Sequence, residues 1–323
     1  MHLIIHRGAR QVGGSCVELN FNASTILLDI GLPLDSDFSD DPESYLPQPL
    51  FNELKNGKKE IDAVILSHAH LDHYGLAGML PQGVPVYCGK ASAELMAITG
   101  QMSPEKAQPL ELKFFKAWKK FQAGTFSVMP YLMDHSAFDA YGFLISAGGK
   151  SLFYTGDFRG HGRKAKLPQA SWAKIRVCYP QLLARRFEKL GLKDILVRHR
   201  KNGINWDRIR EMENNAVMLI RAGFLYDIKR FLGLEGATWI YSLWTGYFER
   251  SKSLRNLKSY LEDKGVQYKY LHTSGHAKLD DLKKLVDAMA PKMVIPIHSF
   301  YPDKFKDYFP NARIVEDGEV VNL

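Results

Sequence analysis

The residues best suited to chemistry lie in one short segment, which runs from His68 through His70 and Asp72 to His73. It places three histidines and one aspartate in an H-x-H-x-D-H pattern, although only 11 of the 323 residues are histidine. As core filler, four such groups would cost free energy, because each would need a hydrogen bond or a charged partner. Imidazole nitrogens and carboxylate oxygens are also ordinary zinc ligands. The spacing therefore favours a metal-binding turn over a solvated polar turn.

Four further candidates each follow an apolar segment. They are Asp29, His135, Asp157 and His298, and the preceding segments cover residues 26–28, 126–133, 151–155 and 293–297. Each segment is typical of a strand, and α/β folds collect ligand-binding groups at the carboxyl ends of strands. Taken singly, each residue also has a structural interpretation, such as capping a turn. Their recurrence at strand ends favours one shared site.

The elements that must position these residues have the pattern of an α/β protein. Residues 61–67 form a nearly continuous apolar run, typical of a strand that is covered on both faces. Further strands are expected at 12–19, 24–28, 217–220 and 239–242, and helices at 91–98, 247–261 and 279–289. The stretch 34–49 is rich in Asp, Ser and Pro and predicts a long loop. This order predicts one α/β domain from the two chain ends, 1–164 and 272–323, with a small inserted domain at 165–271.

The composition is that of a globular protein, with 46% hydrophobic and 24% charged residues. This balance excludes disordered, collagen-like and coiled-coil proteins. No apolar run approaches the ~20 residues that a membrane helix needs, and the start is too weakly apolar for a signal peptide. The cysteines, Cys16, Cys88 and Cys178, form no C-x-x-C pair, which argues against a disulfide framework and against cysteine-bound zinc. We therefore expect no membrane association and a cytoplasmic location.

The positive charge is concentrated in one part of the chain. The net charge is +8, and the segment from Phe158 to Arg210 contains 15 Lys or Arg against 3 acidic residues. Such a block is either a solvated basic face or a surface that binds a polyanion. The residues alone leave both interpretations open.

The candidate residues, taken in chain order, resemble the motifs of the metallo-β-lactamase fold hydrolases. The series Asp29, His68-x-His70-x-Asp72-His73, His135, Asp157 and His298 is similar to the five ordered motifs of that superfamily. Thr273-Ser274-Gly275-His276-Ala277 resembles motif B of its β-CASP branch of nucleases, and Pro296-Ile297-His298-Ser299 resembles motif C. Members of that branch include RNase J and the mRNA 3′-end processing endonuclease. The resemblance implies an αββα sandwich with an inserted small α/β cap, β-CASP-like, at 165–271.

The resemblance also implies a role for each residue. His68, His70 and His135 would hold one metal ion, Asp72, His73 and His298 a second, and Asp157 would bridge the two. Asp29 would lie behind these ligands and orient them. Two zinc ions, with manganese as the alternative, suit ligands that are all nitrogen or oxygen. A hydroxide that bridges the metals would be the nucleophile, with Asp72 and His276 as catalytic residues and His276 as the general acid.

The implied activity is two-metal hydrolysis of phosphodiester bonds in RNA, because a histidine at the motif C position, here His298, is typical of the RNA-acting members. The alternatives are a DNA nuclease, a small-ester or lactone hydrolase of the same fold, and a non-catalytic nucleic-acid-binding subunit. Single-stranded RNA is the expected partner, and the residues leave open whether a homo-oligomer or a protein complex forms. Phe187 and Trp206 are candidates for stacking on bases. Contacts with the RNA backbone are expected from five cations of the basic block, namely Arg185, Arg186, Arg198, Arg200 and Lys201.

One departure from the branch pattern concerns motif A, an acidic residue that ends a strand after the Asp157 motif. The equivalent segment here, 172–180, contains no acid and ends on Cys178, Tyr179 and Pro180. A carboxylate beside His276 would help to keep that imidazole protonated. The sequence therefore predicts that His276 lacks this support, unless Glu249 or Asp280 supplies it.

Overall fold

A computed structural model describes residues 1–36, 41–102, 110–162, 178–198, 203–212, 216–231, 233–272 and 274–323. The chain divides into two compact units, one formed by 1–167 with 275–323 and the other by 168–274. This division is close to the boundaries expected for the inserted domain, whose assignment to 165–271 stays a prediction. Within the described residues, no helix is both long and apolar enough to cross a membrane.

The first unit contains two β-sheets. The larger sheet has the strand order β13-β1-β2-β3-β4-β5-β6, and its strands are β1 (His2–Arg7), β2 (Cys16–Phe21), β3 (Ser24–Leu28), β4 (Ala63–Ile65), β5 (Pro85–Cys88), β6 (Glu111–Phe114) and β13 (Val320–Asn322). The smaller sheet has the order β10-β9-β8-β7, and its strands are β7 (Phe121–Ala123), β8 (Phe126–Leu132), β9 (Tyr141–Ala147) and β10 (Lys150–Tyr154).

The two sheets pack face to face through alternate side chains of their strands. On β3, Ile26 and Leu28 enter the core that includes Phe126 and Phe143 of the smaller sheet. Leu27 points to the other side, into a second core. Because β3 and β4 are covered on both faces, residues 26–28 of β3 and all of β4 are continuously apolar rather than alternating. The metallo-β-lactamase sandwich that the resemblance implied is confirmed.

The described residues of the first unit include four α-helices. They are α1 (Gln48–Lys55), α2 (Leu71–Tyr74), α3 (Lys90–Met102) and α10 (Leu279–Met289), and short 3₁₀ helices cover Pro42–Tyr45, Ala77–Met79 and Pro302–Asp307. Helix α1 buries Leu50, Phe51 and Leu54 in the second core, and α3 adds Ala93 and Met96. These helices therefore form the layer outside the larger sheet.

The second unit is a smaller α/β arrangement with its own core. Its elements are α4 (Gln181–Lys189), α5 (Lys193–Arg198), α6 (Trp206–Glu211), α7 (Leu225–Phe231), β11 (Thr238–Tyr241), α8 (Tyr247–Arg250), α9 (Lys252–Asp263) and β12 (Gln267–Tyr270), with a 3₁₀ helix at Ala222–Phe224. Strands β11 and β12 pair in parallel, and Trp239 and Tyr241 pack against Leu257 and Leu261 of α9.

Three expectations about single elements are wrong. The segment 217–220 is not a strand, since Val217 and Leu219 are exposed and β11 pairs with β12 instead. The helix expected at 247–261 is interrupted at Ser251, which caps α9 by accepting a hydrogen bond from the backbone of Leu254. The segment 293–297 makes only an isolated bridge from Val294 to Ala312, because Pro296 has no N–H to continue a ladder.

The topology brings the ends of several strands to common edges. Strands β3 and β4 run parallel, so Asp29 and the segment that begins at Ser67 leave the larger sheet at the same edge. Strands β8 and β10 are both antiparallel to β9, so they share a direction, and His135 and Asp157 follow at one edge of the smaller sheet. The pairing of the strands therefore fixes the places of Asp29, of the segment that begins at Ser67, of His135 and of Asp157.

A buried charge in the larger sheet gives a pH-dependent contribution to stability. The carboxylate of Glu18 on β2 accepts hydrogen bonds from His6 Nε2 at 2.7 Å, Asn20 Nδ2 at 2.6 Å and Lys59 Nζ at 2.9 Å. Burial alone would raise the pKa of Glu18, but these hydrogen bonds outweigh it and lower the pKa to about 2. Since the ordinary value is 4.5, the ionised state stabilises the fold by about 3 kcal/mol.

We predict that this contribution is present above pH 4.5 and is lost as the pH falls through about 2. The difference in free energy of unfolding between wild type and Glu18→Gln should shrink by about 3 kcal/mol from pH 5 to pH 2, measured by urea unfolding. Glu60→Gln, which changes an exposed carboxylate, is the control and should follow wild type. A constant difference between wild type and Glu18→Gln would contradict the prediction.

Candidate metal centre

The carboxylate of Asp29 connects several residues that surround the candidate metal centre. It accepts hydrogen bonds from the Ser67 backbone N–H at 2.7 Å, the Ser67 hydroxyl at 2.8 Å, the Tyr154 hydroxyl at 2.7 Å and His73 Nδ1 at 2.8 Å. Asp29 has a φ of +57°, an uncommon conformation that aspartate tolerates better than most residues. The structure thus places Asp29 behind the cluster, in contact with one of its histidines.

The short helix α2 is fixed against the segment that follows Asp29. Ile30 donates its N–H to the His73 carbonyl at 2.8 Å, and Leu32 donates to the Leu71 carbonyl at 2.9 Å. A Cβ at Gly31 would lie 1.7 Å from the Asp72 carbonyl oxygen. Only glycine permits this approach, which sets the position of Asp72 and His73.

The structure brings together the seven side chains that the sequence assigned as metal ligands. His68, His70 and His135 form one group whose ligand atoms all lie within 4.8 Å of one another, and Asp72, His73 and His298 form a second. Asp157 belongs to two further groups, one with His68 and His73 and one with His276 and His298. Their roles as ligands stay predictions.

Around Asp157, the spacing of these atoms fits metal ions better than it fits hydrogen bonds, whereas His68 Nε2 lies 2.9 Å from His70 Nδ1 in the first group. Asp157 Oδ2 lies 3.4 Å from His73 Nε2 and 3.6 Å from His298 Nε2, and Asp72 Oδ2 lies 3.7 Å from His73 Nε2. Two atoms that are each ~2.1 Å from a tetrahedral zinc ion are about 3.4 Å apart. Within the described residues, Nε2 of His73 and of His298 are buried without a hydrogen-bond partner. Burying both would be costly unless a cation satisfies them.

His298 is placed by contacts other than a strand. Its φ is +57°, and its backbone N–H donates to the Gly8 carbonyl at 2.7 Å. Nδ1 lies 3.1 Å from the Ser15 hydroxyl and 3.3 Å from the Gly13 backbone nitrogen, which leaves Nε2 facing the cluster. The Ser15 backbone N–H also donates to the Asp72 carbonyl at 3.1 Å. Ser15 therefore positions two members of one group at once.

Burial sets the protonation of most of the histidines. Burial lowers the pKa of four imidazoles, those of His68, His70, His135 and His298. The pKa of His135 falls to about 4. These imidazoles are neutral at physiological pH, which is the form that binds metal. Burial also opposes protonation of His73, but the charges of Asp157 and Asp29 outweigh it and raise the pKa of His73.

His276 and Asp157 form a pair at the exposed side of the cluster. Nε2 of His276 lies 3.0 Å from Asp157 Oδ2. This hydrogen bond raises the pKa of His276 although burial opposes the shift. Burial alone would raise the pKa of Asp157, but the charge of His73 and the His276 hydrogen bond lower it. The expectation that His276 lacks a carboxylate was therefore wrong: Asp157, rather than Glu249 or Asp280, is beside it.

The motif B segment is also tied to the centre through its backbone. His135 donates from Nδ1 to the Gly275 carbonyl at 2.7 Å, so the residue before His276 fixes the ring of a neighbouring site histidine. A metal-binding histidine typically donates its second nitrogen to such a partner. The bond explains why His276 reaches the cluster from a loop distant in sequence.

The residues expected to contact RNA lie in the second unit and are only partly described. Arg185 and Arg186 are exposed on α4, and Arg198 is exposed at the end of α5. Arg200 and Lys201 lie outside the described residues, as do residues 172–177 of the motif A segment. Phe187 and Trp206 are buried, so they are not the base-stacking residues that the sequence suggested.

Sequence reasoning missed three residues that support the cluster: Ser15, Ser67 and Tyr154. Ser67 directly precedes the H-x-H pattern, and Tyr154 is a polar-tipped residue at the end of a strand, three positions before Asp157. Only these positions next to the candidate ligands could have indicated from the sequence that Ser67 and Tyr154 support the cluster. Which partner each hydroxyl meets depends on how the two sheets pack, which no local pattern contains.

Two segments of the chain match known protein families. Residues 38–174 match the beta-lactamase superfamily domain, and residues 254–309 match the Zn-dependent metallo-hydrolase RNA specificity domain. The second match contains both His276 and His298. The chain contains a metallo-β-lactamase domain together with the RNA specificity domain found in the β-CASP branch.

Several curated proteins are similar to parts of this metallo-β-lactamase fold protein. Transcription termination factor FttA of Methanosarcina mazei is 40% identical over 97 residues, which is 28% of this chain and 14% of that protein. The RNase J-like protein of Methanocaldococcus jannaschii is 37% identical over 30% of this chain and 20% of its own. Ribonuclease J of Mycoplasma genitalium is 24% identical over 47% of this chain and 27% of its own. The matches thus span about a quarter or less of the relatives' lengths.

One solved structure has the same fold over its whole length. A protein of unknown function from Enterococcus faecalis V583 superposes with a TM-score of 0.73 and 21% identity, and the match covers 100% of this chain and 99% of that one. At this level of identity the similarity concerns the fold alone.

The Tyr154 hydroxyl gives a test of the supporting network. Tyr154→Phe removes a buried hydrogen bond to a carboxylate, so we expect the free energy of unfolding of the metal-free protein to fall by about 2 kcal/mol, measured in urea. Tyr131→Phe, which removes a half-buried hydroxyl from β8 of the same sheet, is the matched control and should change it by less than ~0.5 kcal/mol. An equal decrease in the free energy of unfolding in the two variants would show that the Tyr154–Asp29 hydrogen bond does not contribute more than an ordinary hydroxyl.

Proposed function

We propose that this protein is a two-metal phosphodiester hydrolase that cleaves RNA. The cluster at the sheet edges carries the proposal, because it gathers seven nitrogen and oxygen ligands at spacings that suit metal ions. Seven ligands are too many for one tetrahedral zinc ion. Two zinc ions fit the donor set, and manganese is the alternative.

His68, His70 and His135 would hold one ion, and Asp72, His73 and His298 would hold the other. Asp157 would bridge them, since its Oδ2 lies 3.8 Å from His135 Nε2 in one group and 3.4 Å and 3.6 Å from Nε2 of His73 and His298 in the other. When bound, the two ions supply a water of lowered pKa and neutralise charge on the scissile phosphate. The buried network around Asp29 keeps the ligands in place before substrate binds.

His276 is suited to protonate the leaving oxygen. Its side chain is about half exposed, whereas Asp157 beside it is buried, so substrate can reach the imidazole. In the metal-free protein, the hydrogen bond to Asp157 raises the pKa of His276, although burial opposes the shift. A general acid in this position contributes ~10²–10⁴-fold to the rate.

RNA is favoured over the other substrates by the match to an RNA specificity domain, which includes two residues of the cluster. Two of the similar proteins are named Ribonuclease J and RNase J-like protein, which agrees with this choice. The exposed Arg185, Arg186 and Arg198 would contact the phosphate backbone of a single strand. A cytoplasmic location is part of the proposal, supported by three free cysteines.

The metal content tests the ligand assignment. We expect about two zinc or manganese ions per chain by elemental analysis, and fewer in both His68→Ala and Asp157→Ala. His2→Ala, which removes an exposed histidine, should keep the wild-type content. A chelator should stop cleavage of end-labelled single-stranded RNA, and zinc or manganese should restore it. Wild-type metal content in both ligand variants, or cleavage of only DNA or a lactone, would refute the proposal.

The His276 assignment has a separate test. His276→Ala should keep its metal ions but lose ~10²–10⁴-fold in kcat. Because the general acid must be protonated, wild-type kcat should fall as the pH rises through the pKa of His276 in the metal-loaded enzyme. The variant should lack this step in its pH profile. Wild-type turnover in His276→Ala would remove the general-acid role.

A further inference from the structure

Two loops of the metal centre expose aromatic side chains. Phe138, three residues after His135, is 72% exposed, the largest value for any aromatic side chain in the described part of the chain. Phe300 and Tyr301 follow His298 and are 57% and 67% exposed. Singly exposed apolar side chains are common on protein surfaces, so the informative feature here is their position beside two site histidines. Their recurrence next to site histidines points to a ligand with flat faces.

The loop that carries Phe138 is held firmly on both sides of it. Met133 donates its N–H to the Ala140 carbonyl at 2.8 Å, which closes the loop. The Asp139 carboxylate accepts from the Ser92 N–H at 3.0 Å, and the Ser92 hydroxyl donates to the Asp139 carbonyl at 3.0 Å. Phe138 is therefore exposed on a fixed support, so stacking against it would cost little further ordering.

Tyr301 has a cation beside its ring. Lys304 Nζ lies 5.0 Å from the ring centroid, and the Tyr301 backbone N–H donates to the Ser299 hydroxyl at 3.2 Å. Proteins that bind single strands combine aromatic rings, on which bases stack, with cations that contact the phosphates. The Tyr301 loop supplies both groups within four residues.

The two loops leave the cluster from different ligand groups. His135 belongs with His68 and His70, and His298 belongs with Asp72 and His73. A scissile phosphate has one nucleotide on each side, so one exposed aromatic side chain near each ligand group matches the number of flanking bases. An aromatic ring on each loop can then hold one flanking base.

We propose that Phe138 and Tyr301 are stacking subsites for the two nucleobases that flank the scissile phosphate of a single-stranded RNA. The inference rests on the proposed function, because it takes the cluster as the place of cleavage. Every base has a π-face, so these subsites read the presence of bases and not their identity. The protein should therefore discriminate against a backbone that lacks bases.

Binding assays with Phe138→Ala and Tyr301→Ala test this. Fluorescence anisotropy would give the Kd of the purified protein for a labelled single-stranded RNA and for an abasic ribose-phosphate oligomer of equal length, over a time in which gels show both intact. Each variant should raise the Kd for RNA about five- to a hundred-fold and change the Kd for the abasic oligomer less than about twofold. Phe138→Trp should bind RNA as wild type does.

Tyr308→Ala is the matched control. Tyr308 is 47% exposed and has Lys283 Nζ 5.2 Å from its ring, but it lies ten positions beyond His298. Its loss should leave RNA binding unchanged. An unchanged Kd for RNA in Phe138→Ala and Tyr301→Ala, or equal losses on RNA and the abasic oligomer, would overturn the inference. Wild-type protein that binds RNA but does not cleave it would refute the proposed function, and the binding comparison would still decide the inference.

Discussion

The buried carboxylate of Asp29 is the contact on which the centre depends. It accepts hydrogen bonds from Ser67 after β4, His73 on α2 and Tyr154 on β10. These bonds link both sheets to the segment 68–73, which contains four of the candidate ligands. A buried carboxylate is costly unless its oxygens are satisfied, and here the groups that satisfy it are those that orient the cluster. The same contact therefore stabilises the sandwich and fixes His73.

The centre gathers polar groups where the surrounding structure is apolar. Two cores made of strand and helix side chains hold the sheet edges rigid, and the histidines project from loops and from the short helix α2 next to those edges. Burial keeps most of the imidazoles neutral, whereas the two aspartates hold a proton on His73 in the metal-free protein. Among the described residues, Nε2 of His73 and of His298 are buried without a hydrogen-bond partner, and a bound cation that displaces the proton of His73 would satisfy both.

The local patterns predicted the H-x-H-x-D-H turn and the strands before Asp29, His135 and Asp157, because spacing and apolar runs are properties of short segments. They failed at His298, where an apolar run with Pro296 makes a bridge instead of a strand. They also missed Tyr154 and Ser15, whose partners come from other parts of the fold. The pairing of His276 with Asp157 likewise depends on tertiary packing, which brings together residues 119 positions apart.

The central claim is that the seven side chains form a single two-metal centre bridged by Asp157. Anomalous scattering from a crystal of the zinc-loaded protein tests it most directly. The account predicts two peaks about 3.5–4 Å apart, with the Asp157 carboxylate between them and His135 and His298 on opposite ions. A single peak, or two peaks without Asp157 between them, would contradict it.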